Sequence, residues 1–175
     1  MFTLRCTQKL LQRMRLDASD LRGAVTHEPT TALGDWYAHL LIIQRQHLVM
    51  LVSDRSRLCI LTTARDMDRL PQRFHTALDD LLHALDVPED AICLEQKAMS
   101  EMCYGLTTGT VSGRSVLGSI KDMTNALHNS EIGERSLSDW NLYYSRWLHK
   151  PLEYVRPKEV ARRLLIEARE RHKAP

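Results

Sequence analysis

TALGDWYAHLLIIQRQHLVMLVSDRSRLCILTT, residues 31–63, holds three apolar runs: Trp36 to Ile43, Leu48 to Val52 and Leu58 to Leu61. The breaks between them are short and polar, Gln44-Arg45-Gln46 and Asp54-Arg55-Ser56-Arg57. Short apolar runs with such breaks read as hairpin-linked strands. A parallel crossover needs about a dozen residues or more, so pairing within this stretch is expected to be antiparallel. The stretch therefore predicts a three-stranded meander. Its first run is apolar on both faces, with Tyr37, Leu41 and Ile43 pointing one way and Trp36, Ala38, Leu40 and Ile42 the other; only His39 interrupts. A strand apolar on both sides is central and covered on both faces, so helices elsewhere must supply the cover. The plainest reading of the whole stretch is core.

Working outward, Phe2 to Cys6 reads as a short strand, and Thr7 is placed to cap a helix over Gln8–Met14. Residues 17–34 are polar and read as a loop of about 15 residues. After the meander, Pro71 suits the first position of a helix over 71–86, with Phe74, Leu78, Leu81, Leu82 and Leu85 as its apolar stripe. A second helix is expected over Glu89–Met99, and Cys103–Leu106 as a further strand. A Gly/Thr/Ser loop, Thr107–Gly113, leads into a third helix that starts at Arg114 or Ser115 and runs to about His128. Trp140 to Leu148 fits helix and strand equally, since Trp140, Tyr143, Tyr144 and Trp147 have helical spacing but aromatic rings suit strands. Pro157 opens the last helix. The fold class expected is α+β: one domain over residues 1–175, an antiparallel sheet of four or five strands with a central meander, packed by about four helices.

A chain of 175 residues is long enough to bury a core, and 43% hydrophobic with 26% charged residues is ordinary for a globular protein. No apolar run reaches the ~18 residues of a membrane span. The first fifteen residues mix basic and apolar positions unlike a signal peptide, so a cytoplasmic protein with no membrane role is expected. The four cysteines form no CxxC pair, which suits buried thiols rather than disulfides or a metal site; no cofactor and no metal are expected. A formal charge of +2 does not by itself imply nucleic acid. Arginine outnumbers lysine, which suits forked contacts to carboxylates or phosphates.

Four patterns in order, FTLRCTQKLL (residues 2–11), TTALGDWYAHLL (30–41), RSVLGSIKDM (114–123) and PLEYVRPKEV (151–160), resemble a bacterial family catalogued as a domain of unknown function. The resemblance covers nearly the whole chain and implies one cytosolic domain. It implies no activity, substrate or catalytic residue. The chain departs from the family pattern in having Ile120-Lys121-Asp122 where an Asn-Asp pair is expected, and in the aromatic content of residues 136–150.

The first candidate site gathers residues at the ends of elements. Arg5 and Lys9 flank the first strand–helix turn, Thr30, Thr31 and Asp35 precede the central strand, and Arg114, Ser115, Ser119 and Asp122 open the third helix behind Thr108, Gly109, Ser112 and Gly113. A Gly/Ser/Thr loop feeding a helix start presents N–H groups on which an anion can sit, and Arg114 can fork onto it. The plainer reading makes Ser115 a helix cap. Asp35 is either a general base or the partner of an arginine, and Trp36 and Tyr37 are core more readily than a stacking platform. His75, Asp79 and His83 share one helix face and read as solvated rather than metal-binding. Arg55, Arg57 and Arg65 are read as clustering at one end of the meander. Tyr143, Tyr144, Arg146, Trp147 and His149 interleave rings with cations, and the terminal helix offers Lys158, Arg162, Arg163, Arg169, Arg171 and Lys173, diluted by glutamates.

Two functions are carried forward. One is an intracellular bacterial binding or regulatory protein that engages an anionic partner (nucleic acid, nucleotide or an acidic protein surface) in a toxin–antitoxin or phage-defence setting, with a homodimer open as a further partner. The other is a small enzyme acting on a phosphodiester or nucleotide, such as a toxin-type ribonuclease, with Asp35 as base and Arg5, Lys9 and Arg114 as charge stabilisers. Convergence of Arg5, Asp35, Arg114 and Ser115 in one pocket separates the two.

Overall fold

The structure, a computed structural model, describes residues 1–21, 28–107, 111–130, 135–148 and 152–173. The two-faced apolar run forms β2 (Trp36–Ile43), which pairs antiparallel with β3 (Gln46–Ser53), and β3 pairs antiparallel with β4 (Cys59–Thr63). The meander is as the short breaks require. The rest of the sheet is not antiparallel. β1 (Phe2–Cys6) lies parallel to β2, with Leu4 opposite Trp36, and β5 (Met102–Leu106) lies parallel to β1 on its other side. The five strands run β4-β3-β2-β1-β5, so the sheet is mixed and β2 is its middle strand. The physical reason lies in the connections. The chain between β1 and β2 contains α1 (Gln8–Met14), and the chain between β4 and β5 contains α2 (Leu70–Ala84) and α3 (Glu89–Ala98), so each is long enough to carry the chain back to the same end.

Six α-helices are present among the described residues, the five spans read as helix and the ambiguous aromatic segment, where about four were expected to pack the sheet; the others are α4 (Val111–His128), α5 (Leu137–Ser145) and α6 (Pro157–Lys173). The ambiguous aromatic segment is helical. Ser136 Oγ accepts from the Asp139 N–H at 3.1 Å while the Asp139 carboxylate accepts from the Ser136 N–H at 3.3 Å, a reciprocal cap that settles the period. α4 begins at Val111, so Ser115 lies a full turn inside the helix and is not its cap. Thr7 does occupy the N-cap of α1, but its side chain makes no cap bond and its hydroxyl is buried. Thr108 and Gly109 of the expected loop, residues 22–27 of the first loop, and His149 fall outside the described residues.

The alternation of β2 sorts two cores. Trp36 and Ala38 join Phe2, Leu4, Val49, Leu51 and Ile60 against α1, α2, α3 and α6, with the Trp36 and Phe74 rings edge to face at 4.8 Å. Tyr37, Leu41 and Ile43 join Met50, Val52 and Leu61 against Val116, Ile120, Met123 and Leu127 of α4 and Trp140 and Tyr144 of α5. The cover ends before β2 does, and Ile42 is 58% exposed. No helix among the described residues is long and apolar enough to cross a membrane.

The β4 edge of the sheet is closed by a side chain. The Leu61 N–H, buried and facing away from β3, donates to Asn141 Oδ1 of α5 at 2.7 Å. Replacing Asn141 with Ala leaves that donor unsatisfied in the core. Asn141→Ala should lower unfolding free energy by about 1–3 kcal/mol in urea denaturation, whereas a surface change such as Arg162→Ala should leave it within about 0.5 kcal/mol.

Candidate functional site

At the end of the sheet where β2 begins, the turn Thr31–Asp35 is held from several sides. Gly34 has φ 78°, and a Cβ there would stand 2.6 Å from Asp54 Oδ1 and 2.9 Å from Arg55 Cγ, so glycine is required both by conformation and by space. Glu95 of α3, itself buried, accepts the N–H groups of Ala32 and Leu33 at 2.7 and 3.0 Å. Burial pushes the Glu95 carboxyl above the usual carboxylate range, and the two N–H donors oppose that shift. Thr31 Oγ1 donates to the Gly34 carbonyl at 2.9 Å, and Ser53 Oγ donates to the Leu33 carbonyl at 2.7 Å.

This turn presents Asp35 to β1. Its Oδ1 accepts the Thr3 N–H at 2.9 Å, and its Oδ2 takes both Arg5 Nε at 2.9 Å and Arg5 Nη2 at 2.8 Å. Both side chains are largely buried, and the Arg5 guanidinium lies 6.0 Å from the Tyr37 ring centre. The Asp35 carbonyl accepts the Asp54 N–H at 2.9 Å. The Asp54 carboxyl is raised, first by burial and then by the Asp35 charge, against the pull of Arg57, Arg55 and Arg5. Arg57, in a left-handed conformation (φ 59°), donates to the Asp54 carbonyl and, at 3.0 Å, to Ser115 Oγ. It is 94% buried, which lowers its pKa, and its Nε has no partner among the described residues.

The candidates of the sequence thus separate. Arg5, Thr31 and Asp35 belong to this polar clamp, and Ser115 joins it through Arg57. Ser119 is buried one turn on and donates to the Ser115 carbonyl at 3.4 Å. Lys9, Arg114 and Asp122 are exposed, and among the described residues none makes a hydrogen bond or ion pair to the clamp. Lys9 stands instead near His39, whose pKa is lowered by burial and then by the Lys9 charge. The sequence reading missed Asp54 and Glu95, and it placed Arg57 in a cationic cluster instead of in this clamp. Polarity marks all three as turn and helix-surface residues; for Glu95 a signal was present, since it falls on the same α3 face as Ala91, Ile92 and Met99, whereas nothing in local periodicity reveals the burial at Asp54 and Arg57.

The opposite end of the sheet carries an open cleft of about 970 Å³. Three turns rim it. The C-terminus of α1 supplies Arg13 and Arg15, the β2–β3 turn supplies Arg45 with His47 behind it, and the segment after β4 supplies Arg65, Asp66 and Asp68. All these charged groups are exposed, and among the described residues none of the four arginines lies within 4.0 Å of a carboxylate. Arg73 of α2 pins the last segment, donating to the carbonyls of Asp66 at 3.1 Å, Thr63 at 3.2 Å, and Arg65. Arg65 is therefore not beside Arg55 and Arg57. β4 runs between them and puts them at opposite ends of the meander, which corrects the expected cluster. The signal was present in the sequence: in an antiparallel meander, the turn after the first strand and the end of the third fall at one end.

The backbone is strained around this cleft. Arg15 (φ 58°), Arg45 (φ 68°) and Asp66 (φ 40°) all adopt positive φ, and Gln44-Arg45 forms the two-residue hairpin turn normally built from Asn-Gly. Each such residue costs about 1–2 kcal/mol that glycine avoids.

Other candidates resolve into surface contacts. His75 pairs with Gln96 at 2.9 Å and His83 with Glu89 at 2.8 Å, and no group of three His, Cys, Asp or Glu among the described residues could hold a metal. Arg169 and Lys173 of α6 pair with Asp90 at 3.3 and 2.6 Å. Trp140 and Tyr144 are core, and the Arg135 guanidinium covers Trp140 and Tyr143 at 5.3 and 5.0 Å.

A family model described as a domain of unknown function (DUF6933) matches residues 3–160. No curated protein and no solved structure matches the chain.

Removing the Asp35 charge strands Arg5 in a largely buried place. Asp35→Asn should lower unfolding free energy by about 3 kcal/mol in denaturant titration. Arg45→Gly should do the reverse and raise it by about 1 kcal/mol, because it relieves the left-handed strain and removes no partner.

Proposed function

Since the chain belongs to this family, the domain of unknown function DUF6933, we propose that it is a binding protein that engages an anionic partner through the arginine-lined cleft. The observation that supports this reading is the set of four exposed arginines, Arg13, Arg15, Arg45 and Arg65, gathered from three separate turns around one open cleft without a carboxylate in ion-pair range among the described residues. Unmatched guanidinium groups facing a shared space attract an anion, and the forked geometry suits both carboxylate and phosphate. Two of the four, Arg15 and Arg45, occupy positive-φ positions where glycine would be more stable, a strain compatible with side chains kept for function and shared with residues away from the cleft such as Asp86.

The enzymatic alternative needs Asp35 as a base. Both of its oxygens are engaged, by Thr3 and by Arg5, and the carboxylate is 95% buried. A base must reach a proton on its substrate, and a carboxylate already filled by a guanidinium and an amide would have to release both. The clamp geometry therefore favours a structural pair over catalysis.

Anisotropy with labelled poly-glutamate, polyphosphate and a nucleic-acid duplex at low salt tests the binding reading. At least one of these should bind, and the double variant Arg13→Glu/Arg65→Glu should weaken it by about a hundredfold, at roughly tenfold per charged contact. Arg162→Glu, on the exposed face of α6, should leave binding unchanged. Equal binding by all three proteins would rule out the cleft.

A further inference from the structure

The composition of the cleft narrows its partner. Among the described residues its basic side chains are four arginines and His47, and its neutral polar lining residues, Gln12, Gln46 and Thr63, carry hydrogen-bond donors. Among the described residues no Phe, Tyr or Trp lines it. Recognition of single-stranded nucleic acid relies on aromatic side chains for base stacking, and stable protein interfaces centre on aromatic or aliphatic anchors with charge depleted from the middle. The cleft has no stacking ring among the described residues, and its aliphatic lining, the half-buried Met14 and Met67 above the buried Leu48 and Ala64, is interspersed with charged groups and not cleared of them. Open, polar, positively charged surfaces with forked donors and neutral donors beside them are what phosphate backbones contact. A small nucleotide would be expected in a more enclosed site that buries most of its surface.

Resting on the proposed binding role of the cleft, we infer that its partner is a nucleic-acid duplex, held by its phosphodiester backbone and not read by sequence. The contacts come from three turn tips, Arg13 and Arg15 on the first, Arg45 on the second and Arg65 on the third, which suits an extended ligand with repeated charges. Asp66 and Asp68 share the cleft, so four arginines set the upper limit on phosphates neutralised. Release of about 0.9 counterion for each phosphate contact on a DNA duplex puts the slope of log K against log salt between about −2 and −4.

The test uses the full chain and fluorescein-labelled probes: DNA duplexes of two unrelated sequences, an RNA duplex, the corresponding single strands, and poly-glutamate, each titrated from low to physiological salt. Both DNA sequences should bind within about threefold of one another, with a slope in the stated range. Comparison with the RNA duplex tells which duplex form is preferred, and tight binding of either supports the inference. Arg15→Gly and Arg45→Gly should each weaken duplex binding about tenfold and make the slope shallower by about one contact. Because glycine suits both backbone positions, a melting temperature at or above that of the parent excludes unfolding as the cause. A tenfold preference for single strands, for one sequence, or for poly-glutamate that is lost in the same variants overturns the duplex inference and leaves the cleft as an anionic-partner site. Absence of binding to every probe, or duplex binding untouched by both variants, overturns the inference and the binding reading together.

Discussion

The ion pair of Arg5 with Asp35 is the interaction on which the arrangement of the sheet turns. β1 and β2 are parallel and separated in sequence by a helix and a long connection, so no hairpin fixes their register. Asp35 does so. Its carboxylate takes the Thr3 N–H and the Arg5 guanidinium of β1, while its own carbonyl takes the Asp54 N–H at the end of β3. One residue thus ties the parallel half of the sheet to the antiparallel half. The ties around it run outward to Glu95 on α3 and, through Arg57, to Ser115 on α4, so helices on both faces of the sheet are fastened to the same turn. Charges this buried are costly unless each is matched, and the density of hydrogen bonds around Asp35 is the match.

The two ends of the sheet are consequently different in kind. At the clamp, charges are buried and mostly paired, and positive φ falls on Gly34 and on the buried Arg57. At the cleft, charges are exposed and unmatched, and positive φ at Arg15 and Arg45 falls on arginine. Stability explains Gly34 and the Arg5–Asp35 pair of the first pattern. It runs against the second, where a glycine at either position would relax the backbone and cost no contact. The fold carries that strain because the clamp and the two cores over-determine the rest of the sheet, and Arg73 holds the third rim of the cleft by three backbone carbonyls.

Much of this was legible in the residues, and what was not has identifiable reasons. The meander was legible because breaks of three or four residues leave no other way to connect strands. The cover on both faces of β2 was legible because alternation places seven apolar side chains on two sides. The helical state of α5 was legible in Ser136-Leu137-Ser138-Asp139, a capping pattern outweighed by the rings that follow. The start of α4 was misplaced because glycine and serine in Ser112-Gly113 look like loop, although α4 has already begun there. Asp35 was singled out with Arg5, but the role that suits an exposed carboxylate differs from the role that suits a buried one, and burial is not written in a local pattern.

The α+β class, the antiparallel meander, the buried middle strand and the amphipathic helices each follow from periodicity or loop length within a few tens of residues. The parallel course of β1 and β5, the closing of Asp35 on Arg5, and the meeting of Arg13, Arg15, Arg45 and Arg65 at one cleft come from the folded chain. Those outcomes depend on which ends of distant strands meet. Strand order and direction across a long connection are set by how helices pack against both faces, a property of the whole chain that no single stretch of it carries.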